Sequence, residues 1–550
     1  MAIEKVSAIP RGTRLEADVC IVGGGPAGIS LALRLNETTN LDVILLESGG
    51  LEPEDRDQDL NEGANVGLDY YDLTATRHRA LGGSSHKWAG WCRPMDEIDF
   101  DGRAWMPNSG WPISYEEMQP YFRSAARLTQ LESEHWAQAP GMDLPPLYLE
   151  PFVGGDVKIA LWQGSPPTKF GNTYRDQLTS APRTRVILGA TATRIVTDET
   201  GSRTTGVEVA SLDRNEITVA ARAVVLAAGA LETARLLLAS NQMNLSGLAN
   251  EHDVVGRYFM EHPHLVTGRI ELYPEGTNKR PHLAAVDEGL GGVRARLALQ
   301  RPSGAMKVAY VISRERQEKE HLLNFSTHLR TVSPVSREES DAYQAFKLVV
   351  GNLRSPSRML NQIRDKALPE DTKHLTRRLV KGTPEIMQVI YHEALQKPTQ
   401  LALYTQSEQS PNPESRVTLD RSRRDALGMP RINLHWRLTR IDKESIIRAQ
   451  EIIGAQLDRS GLGRLVPEPA FQDDSDDWGP GLRGGHHHLG TARMSTDPKT
   501  GVVDPHGQAH TVSDLYIADS SVFPVGGYAN PLLTGVAWSL RLADTIAGRY

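Results

Sequence analysis

The 550 residues predict a doubly wound, Rossmann-like α/β domain assembled from discontinuous segments, joined to an α+β domain with a mostly antiparallel sheet. Three observations carry this. A strand, a glycine turn, a helix and a second strand open the chain; similar pieces recur near residues 220–240 and 515–550; and alternating strands of another texture lie in between.

The first piece reads ADVCIV over 17–22, then GGGPAG, then an apolar helical face of Ile29, Leu31, Ala32, Leu33 and Leu35, then Val43 to Leu46 ending at Glu47. A right-handed crossover sets its two strands side by side in a parallel sheet. Between about 190 and 240, TATRIVTDETGSRTTGVEVAS predicts two strands around a Gly-Ser turn, and AVVLAAGALETARLLLAS predicts strand, glycine and helix. LYIADSSVFP is a strand closing on Asp519, and LTGVAWSLRLADTIAG has helical periodicity through Val536, Leu540, Ala543 and Ile546. Thr267 to Tyr273, Lys307 to Ile312 and Arg431 to Leu438 alternate as antiparallel strands do. Helices are predicted at about 341–350, 384–396 and 440–459, the last with Ile446, Ala449, Ile453 and Leu457 on one face. The charged stretch from about 313 to 340 reads as a loop or insertion.

Composition narrows the function. Hydrophobic residues at 39% and charged residues at 23% fit a globular chain, and a net charge of −7 argues against a nucleic-acid or anionic-membrane binder. Small neutral partners fit better. Cys20 and Cys92, the two cysteines, cannot build a disulfide framework or a four-thiolate metal site. The N-terminus lacks an uninterrupted apolar signal core, and no run reaches the ~18 to 20 apolar residues of a membrane span. The expectation is a soluble, cytoplasmic protein.

Gly23, Gly25 and Gly28 form G-x-G-x-x-G between a strand and a helix. The first glycine permits the tight turn, the second lets backbone N–H groups approach a pyrophosphate, and the third lets the helix pack closely. Glu47 follows Gly23 by 24 residues, at a strand end where a carboxylate takes both hydroxyls of an adenosine ribose. A second acidic strand end, Asp519, favours FAD over NAD, because a flavin's longer arm reaches a distant segment. The alternative for Asp519 is a helix N-cap.

At the other end, GGHHHLGTARM carries His486, His487 and His488, and GGYANPLLTG carries Asn530 before Pro531. A histidine suits removal of a hydroxyl proton near neutral pH, and an asparagine can orient that hydroxyl. A metal is not expected, because adjacent side chains diverge and no nearby carboxylate or cysteine completes a set of ligands. The alternative is that these histidines pack a turn.

GGGPAG with ESGG, LGGSSHKWAGW, GWPIS, AAGALETARLLL, GRYFMEHP, SPNPESRVTL, HHHLGTARM and LYIADSSVFPVGGYANPLLT, in this order, resemble the glucose-methanol-choline (GMC) oxidoreductase family across nearly the whole chain. The resemblance implies an FAD-binding domain from 14–98, 183–262 and 482–550, a lid and substrate-domain segment at 99–182, and a substrate-binding domain at 263–481. It assigns the catalytic histidine to His487 and its partner to Asn530. A histidine-asparagine pair is similar to the pyranose 2-oxidase branch and to bacterial glycoside 3-oxidases, so a sugar or glycoside is the expected substrate. Its secondary hydroxyl at C2 or C3 would become a ketone as hydride passes to flavin N5, with dioxygen or a quinone-type acceptor reoxidising the flavin. A nonsugar alcohol, such as a sterol, an aryl alcohol or a natural-product intermediate, is the alternative, and a non-catalytic flavoprotein is another.

The resemblance also implies the residues that hold FAD. They are Gly23, Gly25, Pro26, Ala27 and Gly28 at the first turn; Glu47 and Ser48 at the next strand end; and Arg79, Gly82, Gly83, Ser84 and Ser85 in the following loop. Ala192, Ala228, Gly229, Asp519, Asn530, Pro531 and Thr534 complete the set. The fungal enzymes tether flavin through a histidine directly before tryptophan, whereas GGSSHKW has Lys87 there and His86 one step earlier. Noncovalent FAD is therefore expected, with a shifted loop register at His86 as the alternative. Trp88 and Trp91 read as packing residues.

Overall fold

The computed structural model describes residues 3–132, 136, 144, 146–148, 153–274, 306–331 and 400–550. The strand Arg14–Val22 runs through the middle of an eight-stranded sheet, and its apolar end, Val19 to Val22, is buried on both faces. That is why it reads as a continuous apolar run and not as an alternating one. It pairs in parallel with Val43–Glu47 on one side and with Glu216–Leu226 on the other. Thr184–Leu188 and Ile3–Lys5 extend the first side in parallel, and Leu515–Ile517 joins Glu216–Leu226, also in parallel. Thr191–Thr197 and Thr204–Ala210 add the antiparallel ribbon expected around the Gly-Ser turn.

Register decides where the site lies. Val22 is level with Leu46 and Leu226, and Leu226 with Ile517, so four strands from distant parts of the chain end at one edge. The residues just beyond them gather there, the usual place for a ligand in an open parallel sheet. The helix Pro26–Thr38 follows the first strand, Ala230–Ala239 follows Glu216–Leu226, and Leu532–Arg549 packs between Pro26–Thr38 and Tyr115–Leu128.

A second sheet of seven strands is antiparallel throughout. Its order is Gly463–Pro467, His264–Leu272, Gln400–Ser407, Phe325–Thr331, Met306–Ile312, Val157–Gly164 and Trp91–Cys92. One face carries Leu161, Val308, Tyr310, Phe325, Leu329 and Leu403 onto Ile446, Ala449, Ile453 and Leu457 of the helix Arg440–Arg459. The helix has the predicted bounds, with Thr439 and Asp442 forming a capping box at its start.

One expectation needs correction and another gains its place. The charged stretch beginning at 313 is no loop up to residue 331: Arg314–Glu320 is a helix whose N-cap Ser313 accepts a bond from the Arg316 N–H, and Phe325–Thr331 is an inner strand. The charges form the solvated face of the short helix. The strand expected at 431–438 runs over Pro430–His435, but in a separate three-stranded sheet, antiparallel to Arg416–Arg424 and parallel to Gly63–Asn65. Arg235, on the helix Ala230–Ala239 and almost wholly buried, holds it there by donating to the Pro430 carbonyl at 2.7 Å and pairing with Asp425 at 2.6 Å. The helices expected at 341–350 and 384–396 lie outside the described residues, as does 332–340.

Candidate active site

The glycine turn is shaped as its motif requires. Gly23 has φ +112°, and a Cβ there would lie 2.5 Å from the Ala227 carbonyl oxygen and 3.0 Å from Ala228 Cα. At Gly28 a Cβ would lie 2.0 Å from the Gly23 carbonyl oxygen, so both positions need glycine for backbone packing. Gly25 differs, since a Cβ there meets nothing within 4 Å. It is the N-cap of Pro26–Thr38, with Pro26 and Ala27 opening the helix, so the positive helix end faces free space. Gly229, with φ +80° at the N-cap of Ala230–Ala239, and Gly535 in the C-terminal helix are equally open.

Around this space sit two buried carboxylates. Glu47 takes the Gly24 N–H at 2.9 Å and the Gly49 N–H at 2.8 Å, one on each oxygen, and burial pushes its carboxyl up. Each oxygen keeps a lone pair for a further donor. Asp519 takes the Gly229 N–H at 2.8 Å, the Thr233 hydroxyl at 2.7 Å and the Ser521 N–H at 2.9 Å, the last as N-cap of Ser520–Val522. It is therefore a cap and also a fastener between distant segments. Open glycine faces, a helix N-terminus and carboxylates at strand ends fit an adenine dinucleotide.

The remaining predicted cofactor residues fall into two groups. Gly82 donates its N–H to the Gly24 carbonyl at 2.7 Å, and a Cβ on Gly83 would touch Gly25 Cα at 3.0 Å, so this loop lies on the glycine turn. Ser84 is exposed, whereas the Ser85 hydroxyl donates to the Gly82 carbonyl and accepts the Phe170 N–H. Arg79 donates to Ser48, Asn61 and Glu232, and Ser48 bonds the Thr191 hydroxyl beside Ala192. Pro531 caps Leu532–Arg549, and the buried Thr534 hydroxyl accepts the Met95 N–H at 3.3 Å. His86 donates from Nε2 to the Leu81 carbonyl at 2.8 Å, and Trp88 donates to the Thr168 carbonyl.

The three adjacent histidines diverge. His486 has φ +60°, is exposed and stands edge-on to Tyr71 at 4.2 Å between ring centroids. His488 bonds the Tyr70 hydroxyl at 2.9 Å. His487 lies between them, half-buried, against His262 and His264 with ring centroids 4.9 and 5.7 Å away. Burial, with four neighbouring imidazoles, holds its pKa well below the usual histidine value, so it is neutral at ordinary pH.

Glu261 ties this group together. Fully buried, it accepts the Tyr70 hydroxyl proton and the N–H groups of Gly485, His262 and His487 at 2.9, 3.0 and 2.9 Å. Burial nonetheless raises its pKa to about 7. At Gly485 a Cβ would lie 2.4 Å from His487 Nδ1, which restricts that position to glycine.

Asn530 is held from the other side. Gln406 donates its Nε2 protons to the Tyr528 carbonyl at 2.5 Å and to Asn530 Oδ1 at 2.9 Å. The Asn530 oxygen is thus committed, and its amide N–H2 is left to the half-open side. Gln406 is directly across from His264 in the antiparallel sheet, so the two side chains share a face. One sheet face therefore connects the surroundings of His487 and Asn530, 43 residues apart in sequence.

The same face continues through Tyr404, His328, Lys307, Trp162 and Trp91, by register across five strands. Trp162 packs at a tilt against His328 and Tyr528, with ring centroids 5.3 and 5.5 Å away, and Lys307 lies over its ring. The face is rich in polar groups where the opposite face is apolar.

Tyr70, Glu261, His262, His264 and Gln406 were not singled out from the sequence. For Glu261 and His262 a signal existed in GRYFMEHP, where an acid-histidine pair directly follows Tyr258, Phe259 and Met260. For Gln406 there was none.

Residues 171–264 match the N-terminal domain, and 411–539 the C-terminal domain, of the family described as GMC oxidoreductase. The chain is 36% identical over 135 residues to the C-glycoside 3-oxidase of Arthrobacter globiformis, 24% of each chain. It is 24% identical over 348 residues to the fructose dehydrogenase large subunit of Gluconobacter japonicus, 63% of this chain and 51% of that one. The matches thus span between a quarter and about half the length of these two relatives. Among solved structures it is similar to formate oxidase, with a TM-score of 0.55 at 17% identity, covering 98% of this chain and 99% of that one.

Proposed function

The chain belongs to the GMC oxidoreductase family, and on that premise we propose that it is an FAD-dependent oxidoreductase that oxidises a secondary hydroxyl of a sugar or glycoside, at C2 or C3, to a ketone. Gly23, Gly25, Gly28 and the open helix end at Pro26 hold the pyrophosphate, Glu47 the ribose, and the segment from Asp519 to Thr534 the distal part of the cofactor. Bound there, FAD would supply the acceptor for the hydride that leaves the carbinol carbon.

His487 takes the hydroxyl proton, and its neutral state at ordinary pH suits a base. Asn530 donates from its amide nitrogen to the same oxygen, so charge developing there meets a positioned donor. Atoms and electrons balance: the substrate loses one hydride and one proton, and the carbon–oxygen bond becomes double.

The observation that carries the sugar reading is the sheet face beside these two residues. Half-buried Trp91 and Tyr404 bring aromatic rings to it and half-buried His264 and Lys307 bring polar groups, over a buried layer of Trp162, His328 and Gln406. A hydroxyl-rich ring needs both, whereas a sterol needs a continuous aliphatic wall. Similarity to the C-glycoside 3-oxidase and to the fructose dehydrogenase large subunit supports the same class.

The test is anaerobic bleaching of the yellow holoenzyme by monosaccharides, glycosides and simple alcohols. Bleaching by sugars or glycosides, with a keto sugar as product, is expected; bleaching by aryl alcohols or sterols alone overturns the proposal, and bleaching by nothing points to a non-catalytic flavoprotein. Peroxide yield against quinone or dye reduction then identifies the electron acceptor. His487→Ala should bind FAD yet lower anaerobic flavin reduction by about 10²-fold or more.

A further inference from the structure

The geometry points to His262 as a positioning residue that fixes the tautomer of His487, so that His487 Nε2 carries the lone pair that meets the substrate hydroxyl. This rests on His487 being the base.

His262 is wholly buried, in the segment just before the strand His264–Leu272. Its Nε2 is 3.2 Å from the Gly526 carbonyl oxygen, and its Nδ1 is 2.9 Å from His487 Nδ1. A carbonyl has no proton to give, so His262 Nε2 must carry one. Burial keeps the ring neutral, with a pKa of about 4. A neutral imidazole with Nε2 protonated has a lone pair on Nδ1. The facing atom, His487 Nδ1, must then be the donor, because two lone pairs 2.9 Å apart repel. His487 therefore keeps its proton on Nδ1 and leaves Nε2 bare.

The backbone locks the pair. Glu261 accepts N–H bonds from His262, Gly485 and His487, so the two rings are hung from one carboxylate. When the substrate O–H bond breaks, its proton goes to His487 Nε2, and the Nδ1–H bond to His262 becomes charge-assisted. The proton stays on His487, because His262 already carries its own on Nε2 against the Gly526 carbonyl and a second would charge a wholly buried ring. The groups facing the pair are His264, His486, His488 and Glu261.

Two measurements on the holoenzyme test this. With 15N-labelled histidine, long-range proton–nitrogen correlation should show His487 protonated at Nδ1 and His262 at Nε2, with His262 and His487 variants supplying the assignments. A His487 protonated at Nε2 overturns the inference whatever the activity. Flavin reduction is the second readout. His262→Gln offers an amide oxygen and an N–H in place of the two ring nitrogens and should stay within about fivefold of the parent rate. His262→Met fills similar volume with no acceptor and should fall by about 10- to 100-fold at equal FAD content. A Met variant reducing at the parent rate overturns the inference; one that fails to hold FAD leaves the decision to the nitrogen shifts. His487→Ala with an undiminished rate would remove the base reading, a result separable from the tautomer measured in the parent protein.

Discussion

Gln406→Leu isolates what orients the amide at 530. Gln406 is 2% exposed and spends both Nε2 protons inside the protein, on the Tyr528 carbonyl and Asn530 Oδ1. Leucine preserves bulk and removes both donors. The Tyr528 carbonyl is then left buried without a partner, at ~1–3 kcal/mol, and the second lost bond adds ~1 kcal/mol, so stability should fall by roughly 2–4 kcal/mol. The chemical effect is separate. A freed Asn530 can present its oxygen as readily as its nitrogen, and a hydrogen bond to a charged oxygen is worth ~1.5–3 kcal/mol, or about 10- to 150-fold in rate. The assay is stopped-flow anaerobic reduction at saturating sugar or glycoside, with denaturant unfolding in parallel. A folded, FAD-loaded Leu variant that reduces at the parent rate refutes the claim that Gln406 orients Asn530.

The glycines of the first turn should separate binding from folding: Gly25→Val faces open space and should fold with poor flavin retention, whereas Gly28→Ala drives a Cβ to 2.0 Å from the Gly23 carbonyl and should lower the melting temperature even without flavin. A Gly25→Val protein with a full complement of FAD would contradict this. Glu261 has a folded pKa of about 7 against 4.5 in an open chain, so the folded state keeps a proton that the unfolded state releases in between. Its contribution to stability is complete below about pH 4.5 and is lost as pH rises through about 7, and Glu261→Gln should flatten denaturant midpoints across that window; an unaltered slope would show that another group titrates there. Because His86 spends Nε2 on the Leu81 carbonyl, acid precipitation should release free FAD; flavin retained in the pellet would place a tether in that loop.

Much of the first domain was legible because its signals are local. A buried parallel strand must be apolar on both faces, a tight turn beneath a phosphate must be glycine, and a helix against a core repeats at 3.6 residues; each is a short-range demand written over a few neighbours. The helix 440–459 was readable for the same reason. The charged run after 313 misled because charge reports contact with solvent and says nothing of whether the backbone is helical. Arg431 to Leu438 read as a strand, but alternation does not name a partner, and Arg235 helps hold it in its own small sheet through the backbone carbonyl of Pro430.

From sequence came the candidates: a nucleotide turn, a histidine run, an asparagine before proline. Tertiary structure alone decided how they are oriented. His262 meets His487 across 225 residues, and Gln406 meets Asn530 across 124, through strand register and buried hydrogen bonds that no local pattern encodes. A side chain's type declares which protons it can give or take, but its tautomer and rotamer depend on what lies opposite, and that is settled when the sheets pack.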